Sequence, residues 1–122
     1  MAPDSKVVVG LTHGLDDPER VLLAYLMGVE ALRKDKQVVM WLTQDAVHVA
    51  TPGFAEKVVV PDAPSVATLH DEFVERGGRF FACPICVRTR GLDGAELTAG
   101  AEIHGAPAVY DFTEGGALTF NY

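Results

Sequence analysis

A chain of 122 residues, 48% apolar and 22% charged, is long enough for one compact domain, too short for two, and too apolar to be disordered. Acidic residues outnumber Lys and Arg by 17 to 10, for a formal net charge of −7, and no basic run or basic–aromatic stripe is present, which argues against nucleic acid as a partner. The longest apolar run, Val21 to Val29, is too short to span a bilayer, and Met1 to Lys6 lacks the apolar core of a signal peptide, so a cytoplasmic protein with no membrane partner is expected.

Lys6 to Leu11 is a valine-rich run of the kind that forms a strand covered on both faces, as in a parallel sheet. Thr12-His13-Gly14-Leu15 leaves it as a loop. Asp16 or Asp17 then caps a helix that Pro18 opens and that runs to about Lys34. In it Val21, Leu22, Leu23, Ala24, Tyr25, Leu26, Met27, Val29, Ala31 and Leu32 cover nearly the whole circumference. One face would cover the sheet, and the other needs a second partner. The choice is a neighbouring subunit, met by residues such as Tyr25 and Met27, or another helix of the same chain.

Gln37 to Thr43 is a second buried strand, after which Asp45 is placed to cap a short helix through Ala50. Val58-Val59-Val60 has no firm assignment. Ser65 caps a helix whose Val66, Leu69, Phe73 and Val74 fall at helical spacing, and Gly77-Gly78 ends it. A strand at Phe80-Phe81 follows. Further on, Asp93-Gly94-Ala95-Glu96 has the spacing of a capping box before a short helix, and Ala101 to His104 reads as a short strand. Pro107 to Phe120 admits either two strands joined through Gly115-Gly116 or a helix over Pro107 to Glu114 before a last strand. The alternation predicts a single three-layer α/β/α domain, residues 1–122, around a mainly parallel sheet of about five strands.

Both cysteines lie in the stretch Arg79 to Gly91. Its first half reads as a buried strand, and Pro84 suits the first position of a helix, where its missing N–H costs nothing. Cys83 then falls at the N-cap and Cys86 one turn further on, on the same face. Unpaired backbone N–H groups at a helix start favour thiolate, the reactive form of cysteine. Arg88 and Arg90 add positive charge. In an open α/β sheet the loops at the carboxyl ends of the strands build the binding site. That rule gathers Thr12, His13, Gln44 and Asp45 around the cysteine turn as pocket candidates.

Four chemistries compete for the cysteine pair. Zinc needs three or four ligands, and His13, His48, His70 and His104 have no paired spacing to complete two thiolates, so no metal is expected. A thioredoxin-like site calls for an aromatic residue where Ala82 stands, although disulfide exchange on another fold stays open. Both thiols can also be buried and inert. The fourth is a persulfide carrier, whose low-pKa thiolate accepts a sulfur atom and hands it on. Around such a thiol His13 would act as orienter or base, and Arg88 and Arg90 would hold an anionic donor. Plain structural roles fit these residues too: a histidine bonded to backbone, and arginines in surface ion pairs. No G-x-G-x-x-G or Walker pattern is present, and no cofactor is expected.

Phe81-Ala82-Cys83 followed by Arg90-Gly91 resembles the cysteine turn of the DsrE-like family, which takes in the DsrE/DsrF/DsrH proteins, the TusBCD sulfur relay and the YchN group. The similarity extends to Val7 to Thr12, Asp16-Asp17-Pro18, Gly77-Gly78, Cys83-Pro84-Ile85-Cys86 and Ala117-Leu118-Thr119-Phe120. It implies an α/β/α domain, a helix from Pro107 to Glu114, and assembly into homo-trimers or hexamers. In some members it also implies sulfur transfer through a cysteine persulfide, with a donor or acceptor protein as partner. Carried over, the sulfur-bearing position is Cys83. Cys86 has no counterpart in the relay members and is placed to resolve a persulfide or sulfenate into a disulfide. The expected function is therefore a persulfide carrier, sulfurtransferase-like or thiol-redox protein acting through Cys83. The alternative is a non-catalytic oligomeric module that binds a small anion at the strand ends.

Overall fold

The two valine-rich runs become adjacent central strands. In the computed structural model, which describes residues 5–122, β1 (Lys6–Leu11) pairs in parallel with β2 (Gln37–Leu42), setting Val8 beside Val39 and Val9 beside Met40. With β3 (Arg79–Ala82), β4 (Ala101–Ile103) and β5 (Leu118–Asn121) they form one sheet in the order β4-β3-β2-β1-β5, parallel throughout. The helices are α1 (Pro18–Arg33), α2 (Val66–Glu75), α3 (Pro84–Thr89) and α4 (Ala106–Thr113), joined by 3-10 turns at Gln44–Ala50 and Ala55–Lys57.

Strand alternation divides the sheet into two faces. Val7, Val9, Leu11, Val38, Met40, Leu42, Phe80 and Ala82 share one core with the inner sides of α1 and α2. Val8, Val39 and Phe81 are buried on the opposite face. The crossovers from β1 through β4 step one way along the sheet, so right-handed connections keep α1, α2 and α3 on the first face. The return from β4 to β5 spans the whole sheet and carries α4 over the second. The third layer is thus one short helix, and none of its residues is buried.

Local signals set most boundaries. The Asp17 side chain accepts from the Arg20 N–H at 3.2 Å and caps α1, while Asp16 folds back onto the Gly14 N–H at 2.7 Å. Ser65 caps α2 by accepting from the Thr68 N–H at 3.2 Å. At its other end Gly77, at φ 87°, lets the Gly78 N–H reach the Phe73 carbonyl at 2.8 Å and its own N–H reach Val74 at 3.0 Å, a Schellman closure. Gly14 is required for a different reason. A Cβ there would stand 2.9 Å from the Asp45 carbonyl oxygen, so only glycine lets the loop after β1 pack on the loop after β2.

Three expectations are corrected. α1 packs on α2 of the same chain, joined by Arg33, whose Nε and Nη2 donate to the Glu72 carboxylate at 2.7 Å each, and the residue expected at an outward face is the one corrected. Tyr25 faces inward and is fully buried, because its hydroxyl finds a partner there: it shares a hydrogen bond of 2.7 Å with His70 Nδ1. Only Leu23 and Leu26, with half-buried Met27, remain as an outward apolar stripe. Asp45 caps nothing; Thr43 holds the N-cap position, and the Asp45 carboxylate is drawn to Arg90. The stretch after Gly91 forms turns, not a helix. Gly91, Gly94 and Gly100 all take left-handed φ values, of 67°, 75° and 81°, and Thr98 N–H is tied across to the Ala50 carbonyl at 2.7 Å. The helix expected over Pro107 to Glu114 is present as α4.

Candidate functional site

Cys83 is fixed from both sides of the backbone. Its N–H donates to the Leu42 carbonyl at 2.9 Å, extending the β2–β3 ladder by one step, and its carbonyl accepts from Val87 N–H at 3.0 Å, closing the first turn of α3. Between them the backbone is extended, at φ −60° and ψ 124°, which is N-cap geometry. Both thiols are free and half-buried. No backbone N–H closes a capping hydrogen bond on the Cys83 sulfur, although those of Ile85 and Cys86 face it.

The two sulfurs titrate unequally. Burial opposes ionisation of Cys83, but the Cys86 backbone N–H, the Cys86 thiol and the Ile85 N–H outweigh it and hold Cys83 below the usual thiol value. Cys86 goes the other way. Burial, reinforced by the neighbouring Cys83 sulfur, pushes it up, against the Gln44 N–H and the Arg90 charge. Of the two thiols, Cys83 is therefore the one favoured to ionise first.

Gln44 and Arg90 hold this arrangement. Gln44 stands at φ 55°, a left-handed conformation uncommon for a side-chain-bearing residue, at the point where β2 gives way to the 3-10 turn. Arg90, at the end of α3, donates through Nε to Asp45 Oδ1 at 2.8 Å and through Nη1 to the Cys86 carbonyl at 3.4 Å. It clamps the cysteine helix to the loop after β2.

The other residues singled out from the sequence fall elsewhere. His13 leaves β1, two strands and about 10 Å from β3, and its Nδ1 pairs with Asp16 Oδ2 at 2.7 Å. The Asp16 carboxyl is held below its usual value first by that His13 bond and then by the Gly14 N–H. His13 is thus committed to Asp16, not to a thiol. The Thr12 hydroxyl donates to the Tyr122 carbonyl at 3.1 Å and anchors the chain end. Arg88 is exposed, and among the described residues its side chain pairs with no carboxylate.

His104 was not singled out, yet it leaves β4 beside Cys83. Its N–H donates to the Ala82 carbonyl at 3.1 Å, and its ring stands edge-on to Phe81 at 4.8 Å. The chain turns to one face after β3 and to the other after β4, so the crevice of an open α/β sheet lies between these two exits. Only the strand order reveals this. Beyond Asp45, a cleft of about 300 Å³ is lined by Leu15, Asp16, His48, Thr51, Phe54 and Lys57. Among the described residues no group of three or more His, Cys, Asp or Glu side chains converges as metal ligands would, and no helix is long and apolar enough to cross a membrane.

Comparison with known proteins places this geometry. The chain is similar to the MJ0760 protein of Methanocaldococcus jannaschii, 25% identical over 101 residues, which are 83% of this chain and 37% of that protein; it thus spans little more than a third of that relative. Its fold is similar to the crystal structure of YchN from E. coli, with a TM-score of 0.78 at 14% identity and all of both chains covered. MTH1491 from Methanobacterium thermoautotrophicum superposes with a TM-score of 0.69 at 22% identity, over 98% of this chain and 100% of that one. The model of the DsrE/DsrF-like family matches residues 5–121, nearly the whole length of the chain, which therefore belongs to that family.

Proposed function

We propose that Cys83 carries a sulfane sulfur as a persulfide, within the sulfur-transfer context of the family. The observation that supports this most is the unequal cysteine pair: one half-exposed thiol at a helix start whose ionisation the nearby N–H groups favour, beside a second whose ionisation burial and its neighbour oppose. Ile85, 65% exposed between the two cysteines, offers an apolar contact to a donor or acceptor protein. The anion-binding alternative has less support, because the cleft beyond Asp45 carries two carboxylates against one lysine. Glutathione persulfide tests the reading. Cys86→Ser protein should gain one sulfur atom by intact mass, removable by dithiothreitol, and Cys83→Ser/Cys86→Ser protein should gain none. Equal uptake by the two would overturn it.

We also propose a homo-oligomer, a trimer or hexamer. Leu23 and Leu26 on α1, Tyr110 on α4 and Leu118 on the β5 edge stay exposed, the tyrosine by 77%. Light scattering at micromolar concentration should give three or six times the chain mass of 13.1 kDa, and a monomer would refute the assembly.

A further inference from the structure

Resting on the persulfide reading, we infer that this site discharges its sulfur as sulfide: Cys86 displaces it from Cys83 and leaves a Cys83–Cys86 disulfide. A carrier that only hands sulfur to a partner gains nothing from a second thiol one turn away. Here the second thiol is adjacent, on the same side of the turn, and acts directly on the first. Cys83 at the N-cap and Cys86 in the first turn each act on the other's thiol, so a small adjustment brings the two sulfurs to bonding distance. The two side chains make that adjustment while Arg90 holds α3 in place, because both thiols are only half-buried.

The charge pattern favours the step in the right order. While Cys83 is a thiolate, its charge adds to burial in opposing ionisation of Cys86. Once Cys83 bears a sulfur, the negative charge moves one atom outward and its hold on Cys86 weakens, leaving burial opposed by the Gln44 N–H and Arg90. Cys86 then loses its proton and its sulfur attacks Cys83 Sγ. The Sγ–Sγ bond forms and the bond to the outer sulfur breaks; that sulfur leaves with the electron pair and takes up the proton lost by Cys86, departing as hydrosulfide. The sulfane sulfur is reduced by two electrons and is itself the oxidant of the two cysteines. Hydrosulfide is a good leaving group, and a dithiol reductant resets the pair. Attack on the outer sulfur would only move it to Cys86 and release nothing.

The test exposes wild type, Cys86→Ser, Cys86→Ala and Cys83→Ser proteins to glutathione persulfide without oxygen, reading sulfide and intact mass. Wild type should release one sulfide per chain and lose two hydrogens. Both Cys86 variants should keep the added sulfur, with sulfide at the background of the reagent, and Cys83→Ser should do neither. If wild type holds the extra sulfur as the Cys86 variants do, the inference is wrong and the persulfide reading stands. If the Cys86 variants take up no sulfur, both are wrong.

Discussion

Iodoacetamide at mildly acidic pH should modify Cys83 of the folded protein well before Cys86, and Cys83→Ser should abolish that fast phase. The reagent reacts with thiolate, so the rate reports which sulfur carries the charge. Cys83 is held below the usual thiol value. Its alkylation should therefore climb with pH earlier than that of a free thiol and level off sooner. Cys86, pushed up by burial and by its neighbour, should climb later. In denaturant the N–H groups of Cys86, Ile85 and Gln44 no longer converge on the sulfurs, and both cysteines should fall on one ordinary profile. Cys86→Ser should keep the fast phase, since the backbone N–H groups remain and a hydroxyl replaces the thiol. Peptide mapping that finds Cys86 labelled first, or both sulfurs slow until unfolding, would refute the assignment of Cys83 as the working residue.

What the sequence discloses here are features decided within a few residues. The valine runs of β1 and β2, the Asp17-Pro18 and Ser65 helix starts, the Gly77 stop and the Cys83-Pro84 turn all depend on neighbours a turn away. Where the reading failed, a distant group outbid a local one. Asp45 has a plausible cap position, but the Arg90 guanidinium, 45 residues on, holds its carboxylate. Tyr25 sits in an all-apolar stripe, and periodicity tells how much of a helix is apolar, not what covers it. His70, also 45 residues on, supplies the polar partner that lets the hydroxyl go inside. At Asp93 to Glu96 the spacing of a capping box lost to three left-handed glycines. Arg88 and Arg90 are two residues apart and cannot face the same way on α3, so only one was ever going to reach the loop after β2. His104 could not be found locally at all, because its place beside Cys83 follows from β4 pairing with β3 and from the reversal of the next crossover.

Phe73→Ala should destabilise the domain by about 3–5 kcal/mol, the range for removing a fully buried aromatic side chain. Phe73 is fully buried, with its ring 4.8 Å from that of Phe80 and 6.0 Å from that of Tyr25. Two of its walls are glycine backbone. A Cβ on Gly28 would stand 3.0 Å from Phe73 Cε2, and one on Gly78 would stand 2.6 Å from Cδ1. Backbone walls cannot move in as side chains do, so the cavity left by alanine stays largely open. Set against a typical total of about 5–15 kcal/mol, that is a large share of the stability. Urea unfolding should show a lower midpoint with an unchanged slope. The same geometry predicts a coupling. Gly78→Ala should be destabilising alone, because its methyl would meet the ring, and far less so in Phe73→Ala protein, where the methyl enters the cavity. Strictly additive effects, or a Phe73→Ala cost below about 1 kcal/mol, would mean that the ring does not fill this space. Phe80 belongs to the strand that ends at Cys83, so this packing also seats the cysteine turn. Alkylation of Cys83 in the remaining folded protein should nonetheless keep its fast phase, because the groups that favour the thiolate belong to α3 and not to the aromatic core.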